Sequence, residues 1–258
     1  MARVRAELAE VGCSVLSGFL RPEAVAELAR EGEALAPHAH HRTIHTNPYS
    51  SPDDERLPPE HPVRIFMERN NAFVAADRIP TDSHLMRLYQ ADAFRRFVAD
   101  CLGEGEIYEY ADPLAKLVLN VLRPGAQHPW HYDTNEFIVS TLLQPAEAGG
   151  AFQYCPGIRS PESENDDQVS AVLRGLDEEP IRRLDLKSGD LQLFYGRYSL
   201  HRVTRVEGER HRITGIFAYA KRPGAIGRVE RTQRLFGRVT EAHREAEASR
   251  VRADQLRD

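Results

Sequence analysis

From residue 115 onward the apolar positions fall into short runs or alternate with a period of two. The runs are "AKLVLNVL", "EFIVSTLLQ", "GAFQYCP", "RRLDLK", "DLQLFYG", "LHRVTRV" and "RITGIFAYA". Residues i and i+2 of an extended chain share a face, so this texture predicts a series of short strands. Turn chemistry separates them, in "RPG", "AEAGG", "KSGD" and "VEGE". The chain before residue 115 is patterned differently. "RAELAEVGCSVLSGFL", ending near Gly18, and "RPEAVAELAREGEAL" have helical spacing, the second behind a proline in its first turn. "DSHLMRLYQADAFRRFVADCLG" repeats that spacing and closes on Gly103. Between these helical stretches, "APHAHHRTIHTNPYSSPDDERLPPEHP" predicts a long surface segment with at most one short strand.

The pattern therefore predicts a mainly β fold with flanking helices (α+β), built as a single domain over 1–258. Helices and a lid or loop segment occupy 1–114, and the β core occupies 115–222. An acidic insertion at about 157–180 carries one short helix, and a charged C-terminal helix over 223–258 packs on the outside.

Composition narrows what such a domain does. At 258 residues the chain can bury a full core. Its net charge of −5, with scattered basic residues, leaves no nucleic-acid footprint. No apolar run is long enough to cross a bilayer, and "MARVRAELAEVG" lacks a signal-peptide core. Cys13, Cys101 and Cys155 are odd in number and far apart, which argues against a disulfide framework. The expectation is a cytoplasmic protein whose partner is a small molecule.

Candidate chemistry concentrates in "HPWHYDTNEF", residues 128–137. On an extended strand His131 and Asp133 project to one face. "GRYSLHRVTRV" offers a third ligand, His201, on another strand. Two imidazoles and one carboxylate on one side of an ion leave the other side open, the arrangement of non-heme Fe(II) sites that bind a cosubstrate and O₂. By itself H-x-D is a weak signal, and a non-catalytic binding protein holding zinc, or nothing, would use it equally well. Arg212 and Thr214 shift the balance. They lie on the apolar strand "RITGIFAYA", and a guanidinium inside a barrel requires an anion. A dicarboxylate such as 2-oxoglutarate, gripped by Arg212 with the Thr214 hydroxyl alongside, meets that need.

The order H-x-D, Gly-Gly turn, distal His and Arg-x-Thr resembles the Fe(II)/2-oxoglutarate-dependent oxygenase superfamily over roughly residues 115–222. The resemblance implies a double-stranded β-helix (jelly-roll, cupin-like) core. It also implies Fe(II) on His131, Asp133 and His201, with 2-oxoglutarate on Arg212 and Thr214, Asn120 as another cosubstrate contact, and O₂ consumed. "NVLRPGAQHPWHYDTNEF" and "FYGRYSLHRVTRVEGERHRITGIFAY" are similar to a branch that hydroxylates or halogenates free amino acids. In halogenating members glycine or alanine replaces the carboxylate ligand to admit a halide. Here Asp133 is present, so the resemblance implies hydroxylation of an unactivated C–H bond with release of succinate and CO₂. Halogenation, desaturation and cyclisation are the alternatives on the same scaffold.

Candidate substrate contacts form a looser set. His128 faces the substrate in the resembled branch. Trp130, the chain's single tryptophan, reads as a core or rim aromatic before a substrate contact, and Asn135 follows the metal pair. Arg69, within "FMERNNAF", is placed to grip a substrate carboxylate from a lid segment, and Arg197 in "FYGRYSLH" is a second candidate clamp if it points inward. His38, His40, His41 and His45 lie in a loop without carboxylates at ligand spacing and are expected to be solvated. The C-terminal helix either closes the pocket or joins two subunits, which leaves a homodimer open.

Overall fold

A computed structural model describes residues 1–248. Helix α1 (Ala2–Val11) ends on Gly12, whose φ of 65° is the left-handed turn that glycine adopts without strain. The helix expected to run to Gly18 therefore stops early, and the β-prone residues behind it form β1 (Cys13–Leu16). Next come α2 (Pro22–Leu35), β2 (Ile44–Thr46), β3 (Met67–Arg69) and β4 (Ala72–Val74). "FMERNNAF", expected as a lid loop, is thus two short strands. The second helical stretch divides at Ala91 into α3 (His84–Gln90) and α4 (Asp92–Leu102), which Gly103 closes as expected.

The core strands follow the alternating runs closely. They are β5 (Tyr108–Glu109), β6 (Leu117–Leu122), β7 (His128–His131), β8 (Ile138–Gln144), β9 (Ala148–Gly149) and β10 (Phe152–Cys155). The acidic insertion contributes one helix, α5 (Asp166–Leu173). Then come β11 (Arg182–Leu184), β12 (Leu191–Phe194), β13 (Leu200–Val203), β14 (Val206–Glu207), β15 (Arg212–Phe217) and β16 (Tyr219–Ala220). The expected C-terminal helix is broken at Gly237 (φ 69°) into α6 (Val229–Phe236) and α7 (Glu241–Ala248), and its remainder, 249–258, lies outside the described residues.

Two antiparallel sheets face each other in a jelly-roll arrangement. The larger runs β1-β12-β8-β15-β6-β4 and the smaller β11-β10-β13-β7. The larger sheet is covered on both sides, so its central strands are buried almost throughout, polar residues included. Alternation instead sorts residues between two environments. On β15, Ile213 and Phe217 pack into the core under α1–α4, whereas Arg212, Thr214 and Ile216 face the space between the sheets. On β6, Leu117, Leu119 and Val121 face the helices while Val118 and Asn120 face inward. β1 and β4, from the segment expected to be helical or irregular, complete this sheet's edges. Gly149 and Gly150 both have positive φ (63° and 58°), and a Cβ at 149 would meet the Arg205 carbonyl at 2.1 Å, so that turn requires glycine.

Candidate metal centre

His131 and His201 are direct cross-strand partners on β7 and β13, and their ring centroids lie 4.0 Å apart. Asp133 stands just beyond the end of β7 rather than within the strand. Its amide donates to the Gly196 carbonyl (3.0 Å), and its Oδ2 lies 3.4 Å from His201 Nε2. Ligand atoms of the three residues are all within 4.8 Å of one another. The Nδ1 atoms of His131 and His201 lie 2.8 and 2.9 Å from the carbonyls of Pro129 and Ser199. A carbonyl only accepts, so each Nδ1 carries the proton and each Nε2 presents its lone pair. Burial, first of all, lowers the pKa of both rings, strongly for His131, which keeps them neutral as metal binding requires. The neutral rings, the fixed tautomers and the convergent carboxylate fit a divalent metal of the iron type bound on one face.

Opposite this face, Arg212 is 4% exposed, and its Nη1 donates to Thr214 Oγ1 at 2.6 Å. No carboxylate pairs with it among the described residues, and desolvation alone lowers its pKa to about 10. A buried, charged guanidinium bonded to one hydroxyl calls for an anion. Asn120 pairs with Thr214 across β6 and β15, and its Oδ1 accepts from Asn71 Nδ2 (2.8 Å). Arg212, Thr214 and Asn120 all line the cavity of about 190 Å³ that also contains the three ligand residues.

Of the expected substrate contacts, His128, Arg69 and Asn135 line this cavity. His128 stacks on His131 with centroids 3.6 Å apart. Arg69 Nε donates to Asn71 Oδ1 (2.9 Å), and Asn135 Oδ1 accepts the Tyr110 hydroxyl proton (2.9 Å). Burial, followed by the charges of Arg231 and Arg234, lowers the Arg69 pKa to about 9.

Trp130 and Arg197 are corrections. Trp130 is one position out of phase with His131, so its ring points to the outer face of β7. There it is buried in a separate cluster with Tyr49, Val63 and Leu200 and is covered by the Arg202 guanidinium. Arg197 does not line the cavity either. Its Nη1 donates to the Thr134 carbonyl (3.1 Å), tying the loop after β12 to the loop after Asp133. The histidines at 38, 40, 41 and 45 form no convergent ligand group among the described residues.

The sequence pattern left the C-terminal helix between closing the pocket and joining two subunits, and named none of its residues for the site. α6 forms the far wall, contributing Arg231, Thr232, Arg234, Leu235 and Phe236 to the cavity, with Thr232 and Phe236 buried. It is held in place through Asp112. Asp112 accepts from the amides of Leu114, Ala115 and Gly227 (2.8, 2.8 and 2.9 Å), and its Oδ2 lies 3.0 Å from His243 Nε2 of α7. Arg234 is paired with Glu230 and donates to the Ser50 carbonyl. The available signal was the helical spacing of Thr232, Leu235 and Phe236 within "VERTQRLF".

The family described as Halogenase D matches residues 61–234. An oxidoreductase of the 2OG-Fe(II) oxygenase family from Burkholderia pseudomallei is 18% identical, with a TM-score of 0.55 over 87% of this chain and 92% of its own. AviO1 from Streptomyces viridochromogenes Tue57 is 17% identical, with a TM-score of 0.59 over 87% and 96%. A Pseudomonas putida prolyl-4-hydroxylase is 16% identical, with a TM-score of 0.53 over 86% and 98%. At these identities the likeness is one of fold. No curated protein sequence matches the chain.

Proposed function

Because the chain belongs to the Halogenase D family, within the Fe(II)/2-oxoglutarate oxygenases, we propose that it hydroxylates an unactivated C–H bond of a free amino acid or a close derivative. Fe(II) would be held by His131, Asp133 and His201, and 2-oxoglutarate by Arg212, Thr214 and Asn120. Bound together, they supply a decarboxylation of 2-oxoglutarate by O₂, to succinate and CO₂, that drives oxygen into a C–H bond.

The protein's own part is positioning. Carbonyls of Pro129 and Ser199 fix the imidazole orientations, so the ligand geometry is set before any metal arrives. Arg212 holds the far carboxylate of the keto acid from the floor of the cavity. Arg69 and His128 stand on the metal side and suit a substrate carboxylate. Apolar walls from Phe73, Val118 and Phe236 exclude water from the reacting centre.

The observation that carries hydroxylation over halogenation is Asp133 itself. With metal bound, its carboxylate would take the position a halide needs and would supply the anionic ligand. The test is anaerobic loading with Fe(II) and 2-oxoglutarate, followed by O₂ and a panel of free amino acids. Succinate release and product mass are the readouts. A product heavier by about 16 mass units supports hydroxylation, while loss of about 2 indicates desaturation. Asp133→Ala should lose coupled turnover, and undiminished coupled succinate and product would refute the ligand assignment.

A further inference from the structure

Arg231 is half-buried and unpaired among the described residues. It projects from α6 into the cavity, where its charge is felt at Arg69 and at the three cavity histidines, and it makes no hydrogen bond or ion pair among the described residues. The other cavity arginines are accounted for differently. Arg234 is paired with Glu230, and Arg212 faces the cosubstrate position. The carboxylates lining the cavity, among the described residues, are Asp112 and Asp133. Asp133 is committed to the metal, and both oxygens of Asp112 are taken by three amides and His243. Arg69 and Arg231 therefore leave two positive charges on the substrate side, with no acidic side chain free to receive a second amine.

From this arrangement we infer that the substrate carries a second anionic group, beyond the carboxylate assigned to Arg69, and that Arg231 receives it. The class is an amino acid with an acidic side chain, its terminal carboxylate or phosphate lying against α6. A basic amino acid is disfavoured, because its side-chain ammonium would enter a cationic region without a counter-charge. Ser50, which lines the same cavity, can donate a further hydrogen bond to such a group. The inference rests on the amino-acid reading of the site and refines it.

Calorimetric titration of the anaerobic Fe(II) protein, saturated with 2-oxoglutarate so that Arg212 is engaged, tests it. The probes are glutamate, aspartate and O-phosphoserine against glutamine, asparagine and lysine, with glutarate and inorganic phosphate as acids that are not amino acids. Acidic amino acids are expected to bind at least about tenfold more tightly than their amides. The preference for carboxylate or for phosphate identifies the group. Arg231→Gln should remove the preference by weakening the acids far more than the amides, and Arg231→Lys should restore part of it. Amides or lysine binding as tightly as the acids would overturn the second anionic group and leave the amino-acid reading standing. Binding of glutarate or phosphate, sensitive to Arg231→Gln, with no amino acid bound would keep the role of Arg231 and overturn the amino-acid reading. An Arg231→Gln change that weakened all probes equally, or no binding by any probe, would refute the specificity role.

Discussion

A methyl group placed on Gly196 should remove a metal ligand without touching it. Gly196 does not have a positive φ, so its need for glycine is steric, and the neighbour that sets it is the Asp133 side chain. An added Cβ would lie 1.9 Å from Asp133 Oδ2, 2.7 Å from Cγ and 3.0 Å from Cβ, whereas real Cβ contacts stay beyond 3.0 Å. Oδ2 must therefore retreat by about 1.1 Å, several times the roughly 0.2 Å latitude of metal–ligand distances. It cannot retreat far on its backbone, because the Asp133 amide is bonded to the Gly196 carbonyl (3.0 Å). Gly196→Ala should weaken Fe(II) binding by about 10–100-fold. Anaerobic Fe(II) titration in the presence of 2-oxoglutarate, followed by the weak visible charge-transfer band, measures this. The metal-free variant should still fold, with an overpacking cost of roughly 1–3 kcal/mol visible as a modest drop in Tm. On an Asp133→Gly background the clashing atoms are gone, so the same change should cost almost nothing further in metal affinity. Wild-type Fe(II) affinity in Gly196→Ala, or an equal additional loss on the Asp133→Gly background, would refute the reasoning.

Two further outcomes follow from the buried charges. Arg212→Met should lower 2-oxoglutarate affinity by roughly 10–100-fold, from loss of charge-assisted hydrogen bonds, while leaving the ligand-free fold as stable or slightly more so. Fluorescence or calorimetric binding together with urea melts would show both, and unchanged 2-oxoglutarate affinity would remove Arg212 from the site. For metal-stripped protein, burial holds the pKa values of His128, His131 and His201 below the ordinary value of 6.5. Between the folded-state values and 6.5 the unfolded chain binds more protons, so stability rises with pH across that window and is lost as pH falls through it. The limiting slope is about 1.4 kcal/mol per pH unit for each histidine. Urea melts from pH 7.5 to 5.0 should show that decline, and a flat profile would mean that the rings are solvated.

The alternating half of the chain was legible because one physical rule governs it. In "RITGIFAYA" and "AKLVLNVL" side-chain phase decides which residues meet the helices and which meet the cavity, and β15 and β6 follow it residue by residue. The same rule takes Trp130 out of the substrate set and leaves it the core aromatic that its composition suggested, because a position adjacent to His131 on a strand has to face the other way. β1 was hidden inside a helical texture because helical spacing carried past Gly12, and only the left-handed glycine reveals the stop. α6 was hidden for a different reason. Three of its eight residues are charged, as on a solvated helix, but two of those charges face an internal cavity that no local pattern announces. The convergent group of His131, Asp133 and His201 was findable from spacing plus chemistry, whereas the partners that fix it, Gly196 and the carbonyls of Pro129 and Ser199, act through backbone geometry and leave no side-chain signature.

The division of labour between these parts explains how one scaffold can keep its chemistry while its substrate changes. His131 and His201 stand opposite each other in strand register, as do Thr214 and Asn120, so the proposed metal and cosubstrate positions are fixed by ladders that a side-chain substitution elsewhere does not shift. Arg69 closes a short strand, Asn135 lies in a loop and Arg231 rides on a helix anchored through Asp112 and His243. Charge on that side can be exchanged without disturbing the ladders, because no hydrogen bond runs from Arg231 to a metal ligand among the described residues. The family label of halogenase and the presence of Asp133 are compatible for the same reason. The family match spans the shared frame from residue 61 to 234, whereas on the proposed reading the choice between halide and hydroxyl would rest on one side chain, Asp133, just beyond β7.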